Sequence, residues 1–312
     1  MNSNKVSILK MVRAPFLSSI ISPLLAGTLI AISIKFSVNI WGFLFVIIMG
    51  IGLHVATNVY NDIYDTIQGT DKINVHRNEF SGGSGVLLDH PELMPKMYFL
   101  ARTGLIVALI ATVALMFFID RSLWPYLWGL YLLSAFFSKY YTAAPIKLGY
   151  RGLGEISVWF AFGPMAILVA AVSQNVGLHP TIITAMPITG ISTLSILLLG
   201  QLIDLKADRD TGKLGVAARL GTRATSDIYL MVQIILMLNV IVLSIILKDN
   251  GWIILISLIP YILLLPKIWK IVNANHDNPE VLPQAAGFNV QLHLLFSILL
   301  SLGLGIHLIV RS

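Results

Sequence analysis

The sequence predicts an all-α integral membrane protein, with nine transmembrane helices bundled around a central cavity and a weak four-helix internal repeat. Two observations carry this reading. Of the 312 residues, 56% are hydrophobic and only 12% charged, with a mean hydropathy of +0.83; soluble globular domains are near 45–50% apolar and about 25% charged. Apolar stretches of about 20 residues, the length that crosses a bilayer, also recur along the whole chain. A water-soluble protein is excluded.

The elements follow in order. The first span, 15–34, stops at Lys35, and the short loop 35–37 leads to the second, 38–58, which runs into a polar stretch. Spans 97–118 and 123–141 are divided by loop 119–122. Spans 154–172 and 185–203 flank loop 173–184, and spans 226–247 and 252–271 flank loop 248–251. The last, 289–310, has no counterpart in the repeat. A single transmembrane domain covers 1–312, without a separate soluble domain, low-complexity tract or linker.

Orientation follows from Lys and Arg, which concentrate on the cytoplasmic side of membrane proteins. With the N-terminus in the cytoplasm, 17 of these residues, from Lys5 to Lys270, fall inside, and Lys35, Arg121, Lys248 and Arg311 fall outside. Nine spans then put the C-terminus outside a cell membrane. The long inner loops 59–96 and 204–225 hold most of the carboxylates, so chemistry belongs on the cytoplasmic face. The net charge of +6 reflects loops that face membrane lipid, not nucleic acid. The absence of cysteine excludes disulfides, thiolate catalysis and Cys-based metal sites.

Two acidic motifs stand at matching helix ends. A helix turns about 100° per residue, so relative to His54, Asn58 lies at about +40°, Asn61 at −20° and Asp65 at +20°. These four polar groups form one stripe on an otherwise apolar helix. Polar groups at membrane depth are costly and face a bundle interior or a cavity. Beyond Asp65 come Asp71, Arg77 and the glycine-rich run Ser81-Gly82-Gly83-Ser84-Gly85. In the second half, Gln201, Asp204 and Asp208 share a face at the end of the sixth span, and Lys213, Arg219 and Arg223 follow. Asp62 and Asp210 fall off the stripes and are expected to be solvated. His54 is expected to act in helix packing.

Clustered carboxylates and carboxamides without His or Cys clusters suit a hard cation such as Mg²⁺ or Ca²⁺. Mg²⁺ takes one or two protein carboxylates and completes its shell with water and phosphate oxygens. Adjacent Lys and Arg suit phosphate. Together these residues predict an Mg²⁺-bridged lipid diphosphate at the cytoplasmic end of the bundle.

The motifs resemble those of the UbiA superfamily of membrane prenyltransferases. Asn61-Asp62-Ile63-Tyr64-Asp65, with Gly69 and Asp71, is similar to that family's first aspartate-rich motif in its menaquinone-pathway branch. Asp204 and Asp208, followed by Thr211-Gly212-Lys213 and Ala218-Arg219-Leu220-Gly221, resemble the second motif and its trailing loop. Tyr141-Thr142-Ala143-Ala144-Pro145 and Leu148-Gly149-Tyr150-Arg151-Gly152-Leu153-Gly154-Glu155 resemble the loop after the fourth helix.

This resemblance implies transfer of a polyprenyl group from a polyprenyl diphosphate to an aromatic acceptor, with 1,4-dihydroxy-2-naphthoate as the expected one. It implies Mg²⁺ held by Asn61, Asp65 and Asp71 on one side and by Asp204 and Asp208 on the other, the four aspartates being catalytic. Arg77 and Lys213 fall where diphosphate is contacted, and Tyr141, Arg151 and Gln201 fall on the acceptor side. Gly200, Gln201 and Ile203 replace the branch's usual Asn pair and Arg, and Leu214-Gly215-Val216 replaces a Thr-Leu pair. Other acceptors stay open within the class: 4-hydroxybenzoate, homogentisate, a porphyrin or a glycerol phosphate lipid. Outside it, a cation-coupled transporter would also use intramembrane acids and a repeat.

Overall fold

The computed structural model describes residues 6–78, 80–81 and 83–311. Lys5, counted among the cytoplasmic charges, and Gly82 of the glycine-rich run lie outside the described residues. In hydrocarbon a backbone must satisfy its own hydrogen bonds, and a helix does so within one segment. The apolar runs accordingly form helices: α1 (Ser18–Lys35), α2 (Ile40–Gln68), α3 (Met94–Leu115), α4 (Trp124–Tyr140), α5 (Gly154–Ser173), α6 (Pro180–Ile203), α7 (Thr222–Ile246), α8 (Gly251–Asn275) and α9 (Leu282–Arg311). α5 passes through a π turn at Ala161–Met165, where Pro164 supplies no backbone donor.

Among the described residues, eight helical segments are long and apolar enough to cross a membrane. The remaining expected span, 123–141, forms α4, which at 17 residues is shorter than the other eight and at the lower limit of about 17 for a crossing helix. The largest difference from expectation is in α2. Its apolar run was read as ending at 58, yet the helix continues through Asn61 and Asp65 to Gln68, and Gly69, at φ 86°, caps it. Apolarity marks where a helix is in lipid, not where it stops; the polar stripe is helical as well. α9 likewise begins at Leu282, ahead of the expected 289.

The outward faces of the long helices carry exposed Ile110, Ile245, Ile262 and Ile309, between 63% and 75% accessible. Exposed aliphatic residues in ranks along helices of this length fit a lipid-facing surface, so the chain is a multi-pass membrane protein. Inside, one core joins α1 with α5 to α9, and another joins α1 to α5. α2 and α3 pack backbone to backbone: a Cβ on Gly52 would stand 2.6 Å from the Gly104 carbonyl. Close approach through small residues is how helices associate without a hydrophobic driving force. Helices α1, α2, α4, α5 and α6 wall a cavity of about 280 Å³, and the two acidic motifs end at its rim.

Candidate active site

The first acidic segment is built by α2 and the turn after it. Asn61 Nδ2 donates to Asp65 Oδ2 at 3.2 Å, one helical turn on, as the stripe requires. Once Gly69 has broken the helix, the short helix Thr70–Ile73 buries Asp71 at 4% exposure. The second segment begins where α6 ends. Asp204 caps α6, and the short helix Leu205–Asp210 presents Asp208, 5% exposed. The backbone N–H of Lys213 then donates to the Asp208 carbonyl at 2.7 Å, which folds the lysine back over the helix it follows.

That reversal brings the two motifs together. Lys213 Nζ lies 3.0 Å from Asp65 Oδ2 and 4.0 Å from Asp208 Oδ1. Four further hydrogen bonds tie the same segments. Asn74 Nδ2 donates to Asp204 Oδ1 at 2.8 Å. Tyr150 donates its hydroxyl to Asp65 Oδ1 at 2.7 Å. The Thr70 hydroxyl is hydrogen-bonded both to that of Tyr150, at 2.6 Å, and to that of Thr211, at 3.0 Å.

The electrostatics follow from crowding acids where water is scarce. Burial, with Asp65 and Asp62 nearby, pushes the Asp71 carboxyl up to about 8. Burial pushes Asp208 up to about 7; Lys213 opposes this, while Asp204, Asp65 and Glu155 add to it. For Lys213, burial works against the charge, but Asp65 and Asp208 outweigh it and hold the ammonium well above the ordinary lysine range. Perturbed carboxyls converging on a cleft mark functional sites more often than structural ones.

Of the residues expected at the site, Asn61, Asp65, Asp71, Asp204, Asp208, Lys213, Tyr141 and Gln201 line the cavity. Arg77 and Arg151 do not. The Arg77 guanidinium packs on Gly85, and exposed Arg151 donates to the Pro145 carbonyl at 2.9 Å. Asp62 corrects the expectation of solvation. It is 2% exposed, accepts the Ser84 N–H at 3.2 Å and faces Arg13 at 3.9 Å. The loop after Asn78 and the N-terminal segment cover that face of α2, which a helical wheel does not register. Asp210 is exposed, as expected. His54 packs edge-on to Phe162 on the cavity wall, with ring centroids 5.5 Å apart.

Sequence reasoning missed the partners that hold the acids in place: Tyr150, Thr70 and Asn74. Tyr150 stands within the Leu148–Glu155 stretch that carries the family resemblance. Thr70 and Asn74 bracket Asp71 but carry no signal of their own.

Among the described residues, no three His, Cys, Asp or Glu side chains are grouped closely enough to hold a metal ion by themselves. The donor set is hard oxygen from both motifs, and a cation, the Lys213 ammonium, already bridges Asp65 and Asp208. This fits a hard divalent ion that takes few protein ligands and fills its shell from a phosphate-bearing partner.

Comparison with known proteins gives the same fold. An Aeropyrum pernix UbiA homologue superposes with a TM-score of 0.67 at 13% identity, covering 96% of this chain and 98% of that one. An Archaeoglobus fulgidus UbiA homologue, solved bound to DMAPP and Mg²⁺, gives 0.63 at 13% identity, covering 94% and 98%. In sequence, a Mycobacterium tuberculosis 1,4-dihydroxy-2-naphthoate octaprenyltransferase is 28% identical over 216 residues, 68% of this chain and 69% of that one. A Synechocystis 2-carboxy-1,4-naphthoquinone phytyltransferase is 28% identical over 167 residues, and that match spans 53% of each protein. Residues 20–282, from within α1 to the start of α9 and including both acidic motifs, match the UbiA prenyltransferase family, and the chain belongs to that family.

Proposed function

We propose that this protein is a membrane polyprenyltransferase that moves a polyprenyl group from its diphosphate to an aromatic acceptor, 1,4-dihydroxy-2-naphthoate. The observation that carries the reading is Lys213 bridging Asp65 and Asp208 at the rim of a cavity whose deeper wall includes Leu24, Met49, Leu53, Phe162 and Met165. Such a cavity takes a charged headgroup at one end and an apolar tail at the other. Support for the acceptor comes from relatives named for naphthoate prenylation in Mycobacterium tuberculosis and Escherichia coli.

Mg²⁺, bound by Asn61, Asp65 and Asp71 on one side and by Asp204 and Asp208 on the other, would neutralise charge on the departing diphosphate. The chain's own residues do the rest. Lys213 gives a fixed positive charge where leaving-group charge develops as the allylic C–O bond breaks. Tyr150 and Asn61 orient Asp65, and Asn74 orients Asp204. The apolar and aromatic wall keeps water from the prenyl carbon, and the faces of Phe137 and Phe162 suit a positively charged carbon. Tyr141 and Gln201, which the family resemblance puts on the acceptor side, line the same cavity. Arg77 and Arg151, off the wall here, bear on loop position. The site opens to the cytoplasm of a cell membrane, on the strength of the Lys and Arg asymmetry.

Membranes that contain the protein, supplied with Mg²⁺, a polyprenyl diphosphate and each candidate acceptor in turn, test this by the mass of the product. A prenylated naphthoate product is expected. A product formed only from another acceptor overturns the acceptor assignment, and Mg²⁺-independent transfer overturns the metal assignment.

A further inference from the structure

Glu155 is a buried carboxylate for which the reaction above has no use. It is 7% exposed in the first turn of α5, close enough to Asp208 to add to the negative field around that acid. A further carboxylate beside four aspartates opposes the holding of an anionic headgroup, and burying it is itself costly.

Its contacts supply a reason for it to be there. Oε1 accepts both the Val216 backbone N–H, at 2.6 Å, and Gln201 Nε2, at 2.7 Å. The carboxamide oxygen of Gln201 accepts the Ala217 N–H at 3.4 Å. Oε2 faces Arg219 at 3.7 Å. Gly215 lies flat on the Gln201 carboxamide, where a Cβ would come within 2.6 Å. One carboxylate therefore fastens the segment 215–219 to α5 and α6 at once. Upstream, the same segment is held by the Lys213 N–H to the Asp208 carbonyl. Between the two anchors, Leu214 is 46% exposed.

We propose that Glu155 is a positioning residue for Lys213: through Val216 and Gln201 it fixes the downstream end of the lysine's loop and so sets the ammonium between the two acidic motifs. The inference rests on the reading of Lys213 as a diphosphate contact. It also gives Gln201 a different task from acceptor contact, since both ends of its carboxamide are taken.

The test uses full-length protein in lipid nanodiscs, titrated calorimetrically with inorganic diphosphate in the presence of Mg²⁺. Glu155→Ala weakens binding roughly tenfold, the scale of losing a hydrogen bond to a charged group. Glu155→Gln, which keeps an acceptor oxygen for the Val216 N–H, restores it to within about threefold. In a Lys213→Met background, Glu155→Ala adds less than about twofold, because residues that act through one another are not additive. Should Glu155→Ala fail to fold, Glu155→Asp takes its place, withdrawing the carboxylate by one methylene while keeping the charge, with the same loss expected.

Wild-type affinity in Glu155→Ala (or in Glu155→Asp where it takes its place), or a full tenfold further loss in the Lys213→Met background, overturns the inference. Lys213→Met binding diphosphate as wild type does overturns the lysine's assignment instead, and the inference with it.

Discussion

Lys213 and Asp65 stand 148 residues apart in the chain, yet the lysine ammonium lies 3.0 Å from the carboxylate and 4.0 Å from that of Asp208. The contact closes the site across both halves of the bundle. Removing one partner of a fully buried pair costs about 3–5 kcal/mol. Lys213 keeps 19% side-chain exposure, so Lys213→Met should cost about 1–3 kcal/mol after solvent screening. Prenyl transfer should fall roughly 100-fold. Thermal unfolding of the purified protein and initial-rate kinetics check both numbers.

The metal-free site should be sensitive to pH. Asp71 and Asp208, pushed up to about 8 and about 7, hold protons in the fold that they release in the unfolded chain above about pH 4. Their contribution to stability is therefore fully present below that pH and is lost as pH rises through 7 to 8. The unfolding temperature without Mg²⁺ should drop between pH 6 and 9, and Mg²⁺ should reverse the drop, because the ion replaces the protons. A flat metal-free profile across that range contradicts the electrostatic account.

The absence of native cysteine makes topology directly measurable. Arg209, on the short helix between α6 and α7, and Lys248, in the loop after α7, are both exposed and stand at opposite ends of α7. An impermeant thiol reagent added to intact cells should label Lys248→Cys and spare Arg209→Cys until the membrane is opened. The reverse pattern would invert the orientation.

Gly52 sits where α2 meets α3 without room for a side chain. Gly52→Val should force the helices apart at a cost of about 1–3 kcal/mol. Because α2 carries Asn61 and Asp65, Mg²⁺ affinity should fall along with stability. Measuring both on one preparation distinguishes a displaced motif from a loosened bundle.

Much of this architecture was legible in the sequence. Spans are dictated by the bilayer, so composition and run length find them; α4, short and dense in aromatics, is where the length rule is least decisive. The stripe of α2 was legible too, since a single helix fixes its angular spacing; the second motif was expected on one helix face, but α6 ends at Ile203 and Asp208 lies on the separate short helix Leu205–Asp210. What one helix does not encode was missed. Asp62 looked solvated because its cover, the loop after Asn78 and the residues around Arg13, arrives from elsewhere in the chain. Tyr150 and Asn74 gain their importance only when Asp65 and Asp204 meet them in space. Glu155 and Gln201 lie 46 residues apart and share a role that no local pattern announces.

The most direct measurement is Mg²⁺-dependent release of diphosphate from a polyprenyl diphosphate by the wild type, Asp65→Asn and Asp208→Asn, each in membranes with the acceptor present. Each substitution keeps shape and removes the charge, so each alone should lower turnover by roughly 100-fold or more while the helices stay folded. Full turnover in either variant would contradict the claim that the two acids jointly hold the reacting headgroup.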